Sequence, residues 1–231
     1  AGIKPVLITG DHLLTAESVA CEAGILSMGE RGITGEMLES LSPSALADEI
    51  AGHKVFARVS PAHKLKIVRT LSGRGEVVAM TGDGVNDAPA LKEAAVGVAM
   101  GLSGTDVARE ASSVVLMDDN FSTIVVSIRE GRSIYDNIRK FIRYLFSCNL
   151  GEVITMVVAT AFGLPMPLTA AELLWMNLVT DGLPALALSR DPPAPDVMGR
   201  PPRQPKESMF SRGLWRKILI RGLYVGGVTL L

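Results

Sequence analysis

Charge is sparse in this chain, and it is balanced. Charged residues make up 20% of the 231 positions, with 23 Lys and Arg against 24 Asp and Glu, for a formal net charge of −1. A near-neutral chain gives no electrostatic case for a nucleic-acid partner, which calls for a field of one sign. Cysteine is scarcer still. Cys21 lies in a polar stretch and Cys148 in an apolar one, so a disulfide is not expected and a reducing compartment fits. An initiator Met and a signal peptide are also missing. The chain starts at Ala1 and stops at Leu231 inside an apolar run, so both ends read as cuts in a longer protein. What remains is apolar: mean hydropathy is positive, which is unusual for a soluble protein and points to a membrane.

The stretch Met80-Thr81-Gly82-Asp83-Gly84-Val85-Asn86-Asp87-Ala88-Pro89-Ala90-Leu91 organises the polar half. The apolar run Val77 to Met80 leads into it and reads as a buried parallel strand. Asp87 stands where a helix N-cap belongs, with Pro89 inside the first turn. Asp83 and Asp87 therefore lie at the carboxyl end of a strand and the start of a helix, where open α/β sheets bind their ligands. Two carboxylates about a turn apart suit Mg²⁺, a hard ion that combines one or two carboxylates with water and phosphate oxygen.

Strand and helix signals alternate on either side. Strands are predicted at 5–8, 55–57, 77–80, 96–100 and 114–117, and helices at 14–25, 44–50, 61–71, after Asp87, and at 106–111. Residues 27–52 are the more polar and least distinctive part. The alternation predicts a parallel sheet with helices on both faces. Thr9-Gly10-Asp11 ends the first strand, so its hydroxyl and backbone amides are placed to meet a phosphoryl group. Arg58 and Lys64 flank the helix opened by Pro61. A lysine near a helix start can reach a phosphate oxygen and neutralise charge in phosphoryl transfer, although most helical lysines are simply solvated.

The string Thr81 to Leu91 resembles the hinge motif of the P-type ATPases, cation pumps that pass through an aspartyl-phosphate. Phe56-Ala57-Arg58-Val59 with Pro61, His63 and Lys64 resembles the segment of the phosphorylation domain that carries the family's lysine. Ile8-Thr9-Gly10-Asp11 with Thr15-Ala16 resembles its TGD segment. The resemblance implies a Rossmann-like, haloacid-dehalogenase-like phosphorylation domain that uses ATP and Mg²⁺. Asp83 and Asp87 would hold the metal. Lys64 would stabilise the phosphoryl charge, and Thr9, Gly10, Asp11, Arg58 and Asn86 would support nucleotide or phosphate. The family's nucleophilic aspartate belongs to a DKTGT sequence, which does not occur here. By itself the segment is therefore not expected to turn over ATP.

Asp118-Asp119-Asn120 closes the polar half and caps a long helical pattern. Residues 121–143 read as a stalk, with Ile124, Ile128, Ile134, Ile138 and Ile142 at helical spacing. A stiff helix of that kind can carry movement from the phosphate site into a membrane. From Tyr144 to Ala171 the single formal charge is Glu152, and the run exceeds the about 20 residues a spanning helix needs. Gly163, Pro165 and Pro167 break it. A second run, Leu173 to Ser189, holds Asp181 alone and is near the lower limit of roughly 17. Basic residues lie before the first run and after the second, so 144–190 is predicted to be a hairpin with both ends cytoplasmic. Residues 191–215 read as a cytoplasmic loop, and 216–231 as the start of a third span.

Carboxylates inside a bilayer are costly and mark function by default. Asn149 and Glu152 are three apart, and Asn177, Thr180 and Asp181 share a face on the next helix. If the faces meet, they form an all-oxygen cage for a hard cation such as Ca²⁺. For a single polar group such as Asn149, an interhelical hydrogen bond is an equal alternative. Pro184 offers no N–H to the Thr180 carbonyl, and Gly182 weakens the helix beside it, freeing carbonyls next to Asp181. Ser147 to Val153 and Leu174 to Pro184 are similar to the fifth and sixth membrane helices of sarcoplasmic/endoplasmic-reticulum-type calcium pumps. Asp191-Pro192-Pro193, Met198, Arg200-Pro201-Pro202 and Pro205-Lys206-Glu207 are similar to the loop that follows. The resemblance implies that Asn149, Glu152, Asn177, Thr180 and Asp181 are calcium ligands. It implies an integral, multi-pass protein in contact with lipid and with the remaining domains of its polypeptide. A pump for Na⁺, K⁺ or Mn²⁺, a membrane-anchored phosphatase and a non-catalytic truncated subunit are the alternatives.

Overall fold

The computed structural model describes residues 1–27, 29–205 and 207–230, and the backbone alone at 43 and 44. Lys206 of the loop motif and Leu231 of the third apolar run lie outside the described residues. The chain divides into two units, Gly2–Ile124 and Val125–Leu231, the latter with Ala1.

The first unit alternates strand and helix: β1 (Leu7–Ile8), α1 (Leu13–Glu22), β2 (Ile33–Thr34), α2 (Gly35–Ser40), α3 (Pro43–Gly52), β3 (Val55–Ala57), α4 (Pro61–Gly73), β4 (Ala79–Gly82), α5 (Ala88–Glu93), β5 (Val96–Met100), α6 (Asp106–Ala111) and β6 (Val114–Leu116). All pairings are parallel, as the alternation predicts, with Ile8 opposite Phe56 and Val98 opposite Val114. The ladders form two three-stranded sheets, β1-β3-β2 and β4-β5-β6, where the sequence reads as one. β1 is two residues long and its ladder pairs with β3. Both sheets are nonetheless packed through shared apolar contacts. Phe56, fully buried, sits among Ile33, Leu38, Ile50 and Ile67, while Val68, Met80, Leu91 and Ala99 form a second cluster, and Ile8 packs against both. Each fully buried side chain of that size contributes about 1.5–3 kcal/mol.

Two elements escape the sequence reading, β2 and α2. Thr34 caps α2 by accepting a hydrogen bond from the Met37 amide. β4 begins two residues later than predicted and runs through Gly82. α4 opens with a two-way cap: the Ser60 hydroxyl accepts from the His63 amide, and the His63 ring accepts from the Ser60 amide. With Nδ1 so used, Nε2 bears the proton and donates to Glu39 at 2.7 Å.

In the second unit α7 (Ser122–Ala161) is one uninterrupted helix of 40 residues. The Asn120 side chain accepts from the Ser122 amide at its start. Gly163, at φ 65°, follows its end. The next helical stretch is broken: α8 (Ala170–Trp175), a π-helical turn over Met176–Thr180, then α9 (Gly182–Leu188). The Asp181 amide reaches back five residues to the Met176 carbonyl at 2.8 Å, one residue wider than an α-turn. α10 (Leu214–Thr229) packs parallel to α7 along small residues. A Cβ on Gly222 would meet Leu150 at 2.6 Å, and one on Gly226 would meet Ile154 at 2.9 Å and the Gly151 carbonyl at 3.0 Å. Small residues four apart let membrane helices approach at this distance. Among the described residues α7 is the one helix long and apolar enough to cross a membrane.

Candidate functional site

The phosphate-facing candidates gather at the carboxyl ends of β1, β3 and β4. The Thr9 hydroxyl donates to Asp11 Oδ2 at 2.8 Å, and the Asp11 amide donates to Thr9 Oγ1 at 3.1 Å. The loop leaving β3 lies alongside, since the Arg58 amide donates to the Asp11 carbonyl at 3.0 Å and the Val59 amide to the Thr9 carbonyl at 3.2 Å. Arg58 adopts φ 49°, a left-handed conformation uncommon for a non-glycine residue. Thr9, Asp11 and Arg58 thus form one rim, with Gly10 exposed between them.

Lys64 and Asp87 meet directly. Lys64 Nζ donates to Asp87 Oδ1 at 2.5 Å, with the two side chains 15% and 9% exposed. Asp87 takes the N-cap position of α5, yet its side chain caps nothing there. Its other oxygen receives a long contact of 3.4 Å from the Gly84 amide. Asp87 has helical backbone angles, φ −93° and ψ −21°, where a capping residue is normally extended, so its carboxylate turns to the lysine instead. Gly82 makes room for the pair: a Cβ there would stand 2.5 Å from Asp87 Cβ. Asp83 is exposed, and its carbonyl accepts from the Thr105 amide at 2.8 Å, tying the hinge to the cap of α6. Asn86 is exposed as well. An open carboxylate at Asp83 beside the shielded Asp87 fits Mg²⁺, which shares its coordination with water and phosphate. No cluster of three or more His, Cys, Asp or Glu occurs among the described residues, so protein ligands alone do not form a closed cage.

Asp119 steadies a neighbouring loop. At φ 49° it turns its carboxylate to the amides of Gly101, Leu102 and Ser103, at 2.7–2.9 Å. The Leu102 amide first, and then Ser103 and Gly101, hold its carboxyl down at about 2.

In the second unit the carboxylates face across two helices. Asn177 Nδ2 donates to Glu152 Oε2 at 2.9 Å and to the Leu173 carbonyl at 3.0 Å. Tyr144 O–H donates to Asp181 Oδ1 at 3.3 Å. Glu152 Oε1 and Asp181 Oδ2 are buried with no hydrogen-bond partner among the described residues. Asn149 and Thr180 are exposed, and their side chains make no hydrogen bond among the described residues. Of the five predicted ligands, the structure brings Glu152 and Asn177 together, while Asp181 is reached from α7 by Tyr144, with Cys148 near it.

Residues 1–95 match the family described as haloacid dehalogenase-like hydrolase. Residues 165–231 match the family described as cation transporting ATPase, C-terminus. A calcium-transporting ATPase of Bacillus subtilis (strain 168) is 55% identical over the whole chain. Calcium-transporting ATPase 1 of Lactococcus lactis is 51% identical over 98% of it, and calcium-transporting ATPase 1 of Bacillus cereus 52% identical over all of it. Over nearly its whole length the chain is thus similar to a segment of calcium-transporting ATPases. It spans about a quarter of the length of these relatives, 26% of each. In the second unit, sequence reasoning missed Tyr144 and Cys148. They stand at i−8 and i−4 from Glu152, so they lie on its face of α7. That spacing was available in the sequence, and only the uncharged character of the two side chains hid it.

Proposed function

We propose that the chain is the phosphorylation-domain and ion-binding part of a multi-pass pump that moves Ca²⁺ across a membrane at the expense of ATP. One observation carries this reading: Glu152 Oε1 and Asp181 Oδ2, on adjacent apolar helices, are buried without a hydrogen-bond partner among the described residues. An unpaired buried carboxylate is unstable by several kcal/mol, so the pair calls for a cation. The π-helical turn beside Asp181 and the proline at 184 supply backbone carbonyls for the same ion. Asn177 is already bonded to Glu152 and orients it. Asn149 and Thr180 complete the set if the helices close further on an ion.

At the other site, Lys64 holds Asp87 and places positive charge where a phosphoryl group would sit. The Thr9 hydroxyl and the amides after it orient phosphate or ATP, with Arg58 on the same rim. Mg²⁺ bound at Asp83 and Asp87 would supply neutralisation of phosphoryl charge, with Asn86 supporting it. The nucleophilic aspartate and the remaining membrane ligands belong to the rest of the polypeptide. α7 joins the two units covalently, so movement after phosphorylation reaches Glu152 along one helix. By linkage, ion occupancy alters phosphorylation to the same degree.

Ion-stimulated phosphorylation of the full-length protein tests the proposal. Ca²⁺ should promote phosphoenzyme formation, and Glu152→Gln with Asp181→Asn should abolish that response. Stimulation by Na⁺, K⁺ or Mn²⁺ in place of Ca²⁺ would change the ion. Hydrolysis indifferent to every cation would point to a membrane-anchored phosphatase.

A further inference from the structure

The second unit holds a cavity of about 370 Å³ that the transport reading does not use. Six cationic side chains line it, Arg139, Lys140, Arg143, Arg200, Arg212 and Lys217, with Asp136 as the acid among the lining residues. Half of these cations are neutralised within the fold. Lys140 pairs with Asp191, Arg200 with Asp136 and Asp196, and Arg212 with Glu207. The other half form no ion pair among the described residues, although Arg139 lies within electrostatic reach of Glu207. Arg139 donates to the Ser211 carbonyl at 2.7 Å, and Arg143 and Lys217 have no ion pair among the described residues. Arg143 is part-buried, and the charges acting on it are Arg221 and Arg139, both positive. Like charges held together repel, and an anion seated between them would relieve that repulsion.

Position along the helices identifies the anion's source. Arg143 is the last charge before the apolar run that opens at Tyr144, and Arg221 is the last before the apolar end of α10. α7 and α10 run parallel here, with Gly222 against Leu150, so both helices change from charged to apolar beside the cavity. A basic pocket at that level meets lipid headgroups. Its planar guanidinium groups suit phosphate oxygens, which they bind in a forked pair. We infer that this cavity binds the phosphate of an anionic phospholipid headgroup. The inference rests on the bilayer placement of residues 144–161 and on no part of the ion site.

Full-length protein in phosphatidylcholine nanodiscs carrying a minor share of cardiolipin or phosphatidylglycerol provides the test, with retained lipid read by native mass spectrometry. Wild type should retain the anionic lipid in preference to phosphatidylcholine. Each cation near the surface contributes about 1 kcal/mol, so Arg143→Gln with Lys217→Gln should bind it about 30-fold more weakly. The charge-keeping pair Arg143→Lys with Lys217→Arg should retain it, which separates lost charge from lost fold. Equal retention by wild type and the neutral variant overturns the inference. So does an absence of preference in wild type, the result expected if an acidic segment of the remaining polypeptide fills the cavity. Inorganic phosphate displacing the lipid at equal concentration would make the ligand a free anion and remove the lipid. Ca²⁺-stimulated phosphorylation, followed in the same samples, reports separately on the pump reading.

Discussion

Asp87 and Asp181 are equally buried, each 6% exposed, and the chain satisfies them differently. Asp87 already has the Lys64 ammonium at 2.5 Å on one oxygen. Asp181 has a tyrosine hydroxyl at 3.3 Å on one oxygen and, among the described residues, no hydrogen-bond partner on the other. In the first unit the acid is part of the scaffold, and the ion pair fixes its direction. In the second unit the fold brings the acid into place and leaves one of its oxygens without a hydrogen-bond partner among the described residues. At the same burial the two acids differ in whether a cationic partner is covalently part of the chain.

The comparison predicts opposite responses to charge removal. Lys64→Met leaves Asp87 buried and unpaired, so it should destabilise the protein by about 3–5 kcal/mol. Thermal unfolding of the full-length protein in chelator would show this as a large fall in Tm. Asp181→Asn, under the same conditions, should leave Tm unchanged or raise it, because it removes an uncompensated charge. A fall as large as that of Lys64→Met would mean that Asp181 is satisfied within the fold and would end the contrast. The same Asp181→Asn substitution should weaken Ca²⁺ binding by roughly 1.5–3 kcal/mol, the worth of a hydrogen bond or contact to a charged group, about 10- to 100-fold. Equilibrium binding of labelled Ca²⁺ would measure it.

Packing offers a smaller effect. Gly226→Val would force α10 away from the Gly151 carbonyl and Ile154, which a Cβ already meets at 3.0 and 2.9 Å. Overpacking of this kind costs about 1–3 kcal/mol. Gly227→Val, with nothing within 4 Å of its Cβ position, is the control and should be near neutral in the same melt.

The smallest effect concerns pH. The Asp119 carboxyl is held at about 2 against an ordinary 3.8. A lowered folded-state value means that its stabilising contribution is complete above about pH 4 and is lost as pH falls through about 2. Amide exchange at Gly101, Leu102 and Ser103 should therefore rise over that window. Asp119→Asn, which tolerates the left-handed backbone but carries no charge, should show raised exchange at neutral pH and no further rise on acidification.

Much of the fold could be read from the residues because several elements announce themselves locally. β3, β5 and α6 stand where the apolar runs and caps place them. β2 and α2 were not legible. A two-residue strand has no period, and Gly35 at a helix start reads as a turn, although Thr34 ahead of Met37 was a usable cap signal. The break near Asp181 was foreseen from Gly182 and Pro184, but its form, a wide turn over Met176–Thr180, was not. The turn lies before both residues, and nothing in the local sequence separates an α-turn from one residue of excess. The candidate sites were legible by type and less so by aim. Spacing put Asn149 and Glu152 on one face, whereas Tyr144 and Cys148, two turns and one turn before Glu152 on its other stripe, are the ones near Asp181. Two stripes pass through Glu152, and only packing against the neighbouring helix selects between them.

α7 has one further consequence. Glu152 stands nine residues beyond Arg143, or about 13 Å along a helix rising 1.5 Å per residue. The hydrocarbon layer is about 30 Å thick, so an ion at that glutamate, in the proposed orientation, has passed nearly half of the membrane voltage. For a doubly charged ion, half of a 100 mV drop amounts to about 2.3 kcal/mol. Occupancy of the glutamate would then depend on the electrical state of the membrane as well as on concentration.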